Sequence, residues 1–304
     1  MTRSGIDTRL RIRTNAKLNL FLRVIGSRAD GYHEVETILH GIGFGDEIEF
    51  VPSQTGEVDI EVVADPSLDG VVMPRLEENL VWRAAQRLIE RGAVNDGVLI
   101  RLTKRIPLAA GLGGGSGNAA GALVALTEMW AADCDRDCLQ EVASEVGSDV
   151  PYCISGGTAL AMARGGDLTP LPSPTEIWFV LGLSNQQILT RDAYTKWDEM
   201  PSEVQVSSAP MTLALGSGNI GEIAALLHND LEGPAFEIAP DLRARKQALI
   251  DCGALGASMT GSGPTLFGMA IDESHAHAVA AQVKDAFDRV CVVHTQPECI
   301  ERLD

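Results

Sequence analysis

The chain contains the run Pro107-Leu108-Ala109-Ala110-Gly111-Leu112-Gly113-Gly114-Gly115-Ser116-Gly117-Asn118, which leads into the apolar stretch Ala119 to Trp130. Its clustered glycines leave backbone N–H groups unobstructed by Cβ atoms. The stretch that follows predicts a helix over 119–130, whose N-terminal N–H groups and dipole would add partial positive charge. Together these make a local anion site, and Ser116 adds a hydroxyl suited to a phosphate or to Mg²⁺. The run lacks the Lys-Ser/Thr ending of a Walker-type phosphate loop. It also lacks the strand-opening fingerprint of a dinucleotide-binding turn with its acidic residue at the proper distance.

Outward from this loop, strands and helices mix in both halves. Upstream, Leu10 to Ile25 reads as strands with a turn, and Asp46 to Val51 and Val58 to Val63 as further strands. Asn79 to Arg91 has helical periodicity with Gly92 at its end, and Gly97 to Leu102 reads as a short strand. Downstream, a helix over Arg136 to Val146 meets the breaker Gly147-Ser148. Leu168 to Thr175 carries Pro170, Pro172 and Pro174 and predicts a linker. Beyond it, strands are predicted at 177–183, 257–259, 265–270 and 290–294, and helical pieces at 211–227, 241–251 and 275–287. The pattern predicts an α+β chain of two domains, 1–170 and 171–304.

At 304 residues, with 45% hydrophobic and 22% charged residues, the composition is that of a globular protein. The formal net charge of −18 weighs against nucleic-acid or anionic-membrane partners, so any anion must be held by a local site. No apolar run reaches the ~18 residues of a membrane-spanning helix. Met1 to Arg13 is charged throughout, without the apolar core of a signal peptide. These features predict a cytoplasmic protein whose six cysteines are free thiols. Cys134 and Cys138 have a spacing that could hold a metal on a helix, but no second Cys or His pair lies nearby, and no metal site is assigned.

Several polar residues stand out from their surroundings. Lys17 sits between Ala16 and Leu18 in an apolar strand and needs a counter-charge if buried. Asn19, two residues on, shares its strand face. Asp149, framed by Gly147 and Pro151, is either a helix cap or a carboxylate able to take a hydroxyl proton. Asn79 is a candidate N-cap for the helix that follows. Gly261-Ser262-Gly263 forms a tight turn that brings backbone close to a neighbour, or a plain hairpin.

In order along the chain, Ala16-Lys17-Leu18-Asn19-Leu20, the glycine run and Met259-Thr260-Gly261-Ser262-Gly263-Pro264-Thr265 resemble the signatures of the GHMP kinase superfamily. Within it, three stretches look like the 4-diphosphocytidyl-2-C-methyl-D-erythritol kinase family. They are Lys17-Leu18-Asn19-Leu20-Phe21-Leu22, Arg28-Ala29-Asp30-Gly31-Tyr32-His33 and Gly147-Ser148-Asp149-Val150-Pro151. The resemblance runs from about Arg13 to about Gly268. It implies a two-domain GHMP kinase fold, with a ribosomal-protein-S5-like N-terminal domain that binds ATP and a ferredoxin-like C-terminal domain. It implies transfer of a phosphoryl group from ATP, with Mg²⁺, to the 2-hydroxyl of a cytidyl diphosphate substrate in the non-mevalonate isoprenoid pathway.

The resemblance also implies roles. Asp149 becomes the catalytic base and Lys17 its electrostatic partner. Asn79 and the run Leu108 to Asn118 become ATP-binding. Asn19, Tyr32, His33, Tyr194, Gly261, Ser262 and Gly263 become substrate-binding, with the cytosine between Tyr32 and Tyr194. Tyr194 is chosen because Thr190-Arg191-Asp192-Ala193-Tyr194 fits the family's spacing. The implied assembly is a monomer or weak homodimer. Two departures stand out: Gly117 replaces a hydroxyl-bearing residue common after Ser116, and the turn Ala163 to Asp167 is altered. A related kinase with another alcohol acceptor, or a non-catalytic sensor on the same fold, remains a rival at this point.

Overall fold

The computed structural model describes residues 9–68, 75–93, 96–163, 167–174, 176–200 and 206–303. Its strands are β1 (Leu10–Ser27), β2 (His33–Pro52), β3 (Val58–Ala64), β4 (Val98–Lys104), β5 (Thr158–Ala163), β6 (Asp167–Pro170), β7 (Trp178–Leu183), β8 (His228–Asn229), β9 (Gly256–Met259), β10 (Leu266–Ala270), β11 (Arg289–His294) and β12 (Ile300–Arg302). Its helices are α1 (Leu80–Glu90), α2 (Gly114–Met129), α3 (Arg136–Val146), α4 (Val150–Ser155), α5 (Thr190–Glu199), α6 (Ala209–Ser217), α7 (Ile220–Ala225), α8 (Glu232–Ile238), α9 (Asp241–Asp251) and α10 (Glu273–Val283). Among the described residues one sheet follows the order β12-β1-β2-β4-β3, with β5 and β6 continuing from β2 and β8 beside β1. The other follows β11-β7-β10-β9. Two late segments, β8 and β12, pair with β1 and so return to the first sheet.

Residues Leu10–Ser27 form one strand rather than strands with a turn, paired along β2 from Leu10↔Phe50 to Ser27↔His33. Register shifts at Asn15/Ala16, Asn19/Phe21 and Val24/Gly26 absorb the irregularity as bulges. The polar residues that break its apolar pattern, Asn15, Lys17 and Asn19, are all buried. The middle of the strand is covered on both faces, so polar alternation no longer reports solvent.

The helix after the glycine run starts earlier than predicted, at Gly114, which turns 114–118 into its first turns. Gly113, at φ +72°, takes the left-handed conformation that allows the turn. The helix lies close on β1, since a Cβ on Gly121 would come 2.6 Å from Thr14 Cγ2 and 2.7 Å from Ile12 Cδ1. A side chain there would push the helix start away from the strand that carries Lys17.

Three apolar clusters hold the layers. Helices α1 to α3 cover one face of the first sheet through Val81, Leu88, Leu123, Leu126 and Val142, packed with Ile48, Phe50 and Ile100. Between the two sheets, Leu18, Leu20 and Ile38 share a core with Phe179, Leu181 and Phe267. Each such side chain contributes about 1.5–3 kcal/mol when fully buried, so this middle layer fixes one sheet against the other. Leu231, Leu242, Leu249 and Val279 anchor the outer helices.

Two further expectations are corrected. The first part of the 168–175 linker is strand, with Leu168 opposite Ala161, because Pro170 falls at the strand's end rather than inside it. The altered turn at 164–166 and Thr175 lie outside the described residues. Cys134 and Cys138 are joined in a disulfide rather than free; the turn capped by Asp135 brings their Cα atoms to 5.2 Å, within bridging range. Cys153, Cys252, Cys291 and Cys299 are free. Among the described residues no helix is long and apolar enough to cross a membrane.

Candidate active site

A cavity of about 880 Å³ opens where β1, the glycine run and the second half of the chain meet. Residues 107–116 line it, together with Lys17, Asn19, Tyr32, His33, Asp149, Tyr194, Gly261 and Ser262. Most of the side chains singled out from the sequence are therefore gathered in one place. Asn79, Gly117, Asn118 and Gly263 are not among the lining residues, although Leu80, next to Asn79, is.

The loop is tied down on both sides. The backbone N–H of Lys17 donates to Leu112 O at 3.0 Å. The Thr260 hydroxyl donates to Gly111 O at 3.0 Å. Gly111 has φ +75°, and a Cβ there would overlap the Thr260 carbonyl, so this glycine is required by the approach of the 260–263 turn. Gly113, the N-cap of α2, offers no side chain to the first N–H groups of the helix. Gly113 to Ser116 line the cavity, and the first N–H groups of a helix suit the oxygens of a phosphate.

Beneath the loop lies a polar network that sequence reasoning missed. The Asp46 carboxylate accepts from the Lys104 ammonium, from Arg105 N at 2.7 Å, from Ile106 N at 2.9 Å and from Asn118 Nδ2 at 2.9 Å. Asn118 Nδ2 also donates to Thr14 Oγ1 at 2.8 Å, and its Oδ1 accepts from Lys104 at 3.1 Å. The Asn118 side chain thus points into the protein rather than the cavity. Burial lowers the Lys104 pKa, while the Asp46 charge opposes the shift. Gly117 faces β1 as well: a Cβ would sit 3.4 Å from Asn15 O and 3.7 Å from Thr14 Cβ. Its missing hydroxyl is therefore on the strand side of the helix.

Lys17 is the buried cation of the cavity. Its Nζ donates to Asn19 Oδ1 at 2.8 Å and stands 3.5 Å from Asp149 Oδ2. Asp149 occupies the N-cap position of α4, yet its side chain makes no cap hydrogen bond. The carboxylate is turned to Lys17 and remains 36% exposed toward the cavity. Asn19 is a junction: its Oδ1 also accepts from Gly261 N at 2.8 Å and lies 3.1 Å from Thr260 Oγ1, while its Nδ2 donates to Thr37 Oγ1 at 2.8 Å. A hydroxyl entering beside Asp149 would meet a base, and charge developing next to it would meet an ammonium and helix N–H groups.

The far end of the cavity is aromatic. His33 stacks on Tyr194 at 4.6 Å between ring centroids, and the Trp197 ring meets its edge at 5.8 Å. Tyr32 lines the same space and is 52% exposed. Burial, with the Asp149 charge adding to it, pushes the Tyr194 phenol far above its usual pKa, so it stays protonated. Thr190 Oγ1 and Ser262 Oγ lie 3.1 Å apart and link α5 to the 260–263 turn. Asn79 caps α1, its Oδ1 accepting from Val81 N at 2.9 Å.

Comparison with known proteins shows the family of the chain. The family model for the GHMP kinases N terminal domain matches residues 79–157, and that for the GHMP kinases C terminal matches 211–289. The chain is 41% identical to a 4-diphosphocytidyl-2-C-methyl-D-erythritol kinase of Pelotomaculum thermopropionicum, over 92% of this chain and 96% of the relative. It is 38% identical to the enzyme of the same name from Gloeobacter violaceus, covering 90% and 89%. A crystal structure of a 4-(cytidine 5'-diphospho)-2C-methyl-D-erythritol kinase superposes with a TM-score of 0.79 at 30% identity, over 94% of this chain and 100% of that one. A homoserine kinase from Cytophaga hutchinsonii shares the fold at a TM-score of 0.76 and 20% identity, covering 100% of both chains.

Proposed function

The chain belongs to the 4-diphosphocytidyl-2-C-methyl-D-erythritol kinase family of GHMP kinases, and on that premise we propose how its residues divide the work. The protein is an ATP-dependent kinase that phosphorylates the 2-hydroxyl of 4-diphosphocytidyl-2-C-methyl-D-erythritol. One observation carries the proposed division: a buried ammonium and a half-exposed carboxylate face each other at the mouth of a glycine-bounded helix N-terminus.

Asp149 takes the proton of the substrate hydroxyl, and Lys17 keeps that carboxylate in place and steadies charge on the transferring phosphoryl group. The N–H groups around Gly113 to Ser116 hold phosphate oxygens. Glycine at 111 and 113 lets the loop pack against Thr260 and Lys17, on which Cβ atoms would intrude, and so sets the backbone that would receive ATP. Ser116 is the hydroxyl that would hold Mg²⁺, and the ion would supply neutralisation of the phosphate charge. Leu80 and the helix capped by Asn79 border the nucleotide end. Asn19 orients Lys17 and the 260–263 turn, and Gly261 and Ser262 close the wall against which the substrate lies. Tyr32 and Tyr194 flank the cytosine, with His33 at its edge.

We take 1–170 as the ATP-binding domain and 171–304 as the C-terminal domain, with β8 and β12 of the latter returning to the first sheet. The proposed working unit is a monomer or weak homodimer. Dependence on ATP supports a cytoplasmic setting. The test is ADP release with ATP, Mg²⁺ and the cytidyl substrate, run beside homoserine and mevalonate. Turnover confined to the cytidyl substrate is expected; turnover on another alcohol alone would overturn the substrate assignment.

A further inference from the structure

Ser27 ends β1 and His33 begins β2, so the two flank the turn that carries Tyr32. Across the cavity, Asp198 lies four residues after Tyr194 on α5, on the same helix face. Its Oδ1 is 2.9 Å from His33 Nε2 and accepts from Ser27 Oγ at 2.8 Å. Ser27 Oγ is itself 3.4 Å from His33 Nε2. The His33 ring is held in plane by Tyr194 and Trp197, and its side chain is only 11% exposed. Both His33 and Asp198 line the cavity.

We propose that Asp198 is a positioning residue that fixes the His33 tautomer and so makes the pocket select a 4-amino pyrimidine over a 4-oxo pyrimidine. This rests on the cytidyl-kinase reading above. An ionised carboxylate can only accept a hydrogen bond, so Nε2 must carry the proton. The hydrogen bonds from His33 and Ser27 also hold the Asp198 carboxyl below its usual pKa, which keeps it an acceptor. In the neutral ring the other nitrogen, Nδ1, is then an acceptor. Among the described residues Nδ1 has no protein partner. An acceptor there matches the amino group at position 4 of cytosine, which donates, and opposes the oxygen at position 4 of uracil, which accepts. With the proton on Nδ1 instead, the preference would reverse. The same carboxylate joins the Tyr32 turn to α5, the two walls between which the base would lie.

The experiment is titration of the full chain with CDP and with UDP at pH 8, for the parent protein, Asp198→Ala and Asp198→Asn. The parent is expected to prefer CDP. Asp198→Ala should lose about tenfold of that preference, the effect of one lost directional hydrogen bond. Asp198→Asn, whose amide oxygen still accepts from Nε2, should keep most of it. If Asp198 serves only to dock α5, the Ala variant will weaken both nucleotides alike with their ratio unchanged, and the proposal is overturned. A parent protein with no preference for CDP would instead defeat the cytidyl reading itself. Asp198 is 45% exposed, so neither variant threatens the core.

Discussion

Lys17 Nζ lies 3.5 Å from Asp149 Oδ2, with the lysine 5% exposed and the aspartate open to the cavity. One residue comes from the middle of a sheet and the other from the start of a short helix, so the fold itself must bring them together. The bulged β1 turns Lys17 inward, and Asn19 then fixes its ammonium. Replacing the ammonium by a group of similar length, Lys17→Met, should lower kcat about 100- to 1,000-fold, as for loss of one transition-state donor. Steady-state kinetics beside a thermal melt would separate this from unfolding.

Tyr194 provides the second expectation. Stacking on one base is worth about 1–3 kcal/mol. Tyr194→Ala should therefore raise KM for the cytidyl substrate by roughly tenfold or more and leave KM for ATP unchanged. An effect on ATP alone would remove Tyr194 from the base pocket.

The network under the loop leads to a stability test. Asp46 is completely buried and accepts from Lys104, Asn118 and two backbone N–H groups. Asp46→Ala would strand the Lys104 charge and is expected to cost about 3–5 kcal/mol by chemical denaturation. The two backbone donors belong to Arg105 and Ile106, at the entrance to the glycine loop, so ATP affinity should fall in the same variant.

His40 supplies the pH test. It is fully buried, and burial lowers its pKa from 6.5 to about 4. Its ring nitrogens lie 2.8 Å from Thr158 Oγ1 and 3.0 Å from Thr295 Oγ1. Between pH 6.5 and about 4 the unfolded chain binds this proton and the folded chain does not. Stability should therefore rise with pH across that window, and be lost as pH falls through it, by on the order of 3 kcal/mol. His40→Gln should flatten that part of the profile.

Much of the site was legible because its residues are out of place for their surroundings. Lys17 and Asn19 interrupt an apolar strand, and the glycine run precedes an apolar helix; both anomalies led to the cavity. The Arg136–Val146 and Asp241–Asp251 helices agree with their periodicity. What was missed depends on tertiary partners. Bulges that keep β1 continuous look like turns in one dimension. Asn118 and Gly117 look like loop residues until the helix is seen to begin at Gly114, which rotates both toward β1. The Cys134–Cys138 bond depends on the turn at Asp135. Two signals were readable: Lys104 ends an apolar strand much as Lys17 interrupts one, and Asp198 shares a helix face with Tyr194.

The most direct measurement is ADP release with ATP, Mg²⁺ and 4-diphosphocytidyl-2-C-methyl-D-erythritol by the parent protein and by Asp149→Asn, with ATP binding followed in parallel. The account predicts that the variant binds ATP with nearly the parent affinity and loses turnover by about 100-fold or more, the contribution of a positioned base. Undiminished turnover in Asp149→Asn would contradict it, leaving the Lys17–Asp149 pair with no part in the transfer.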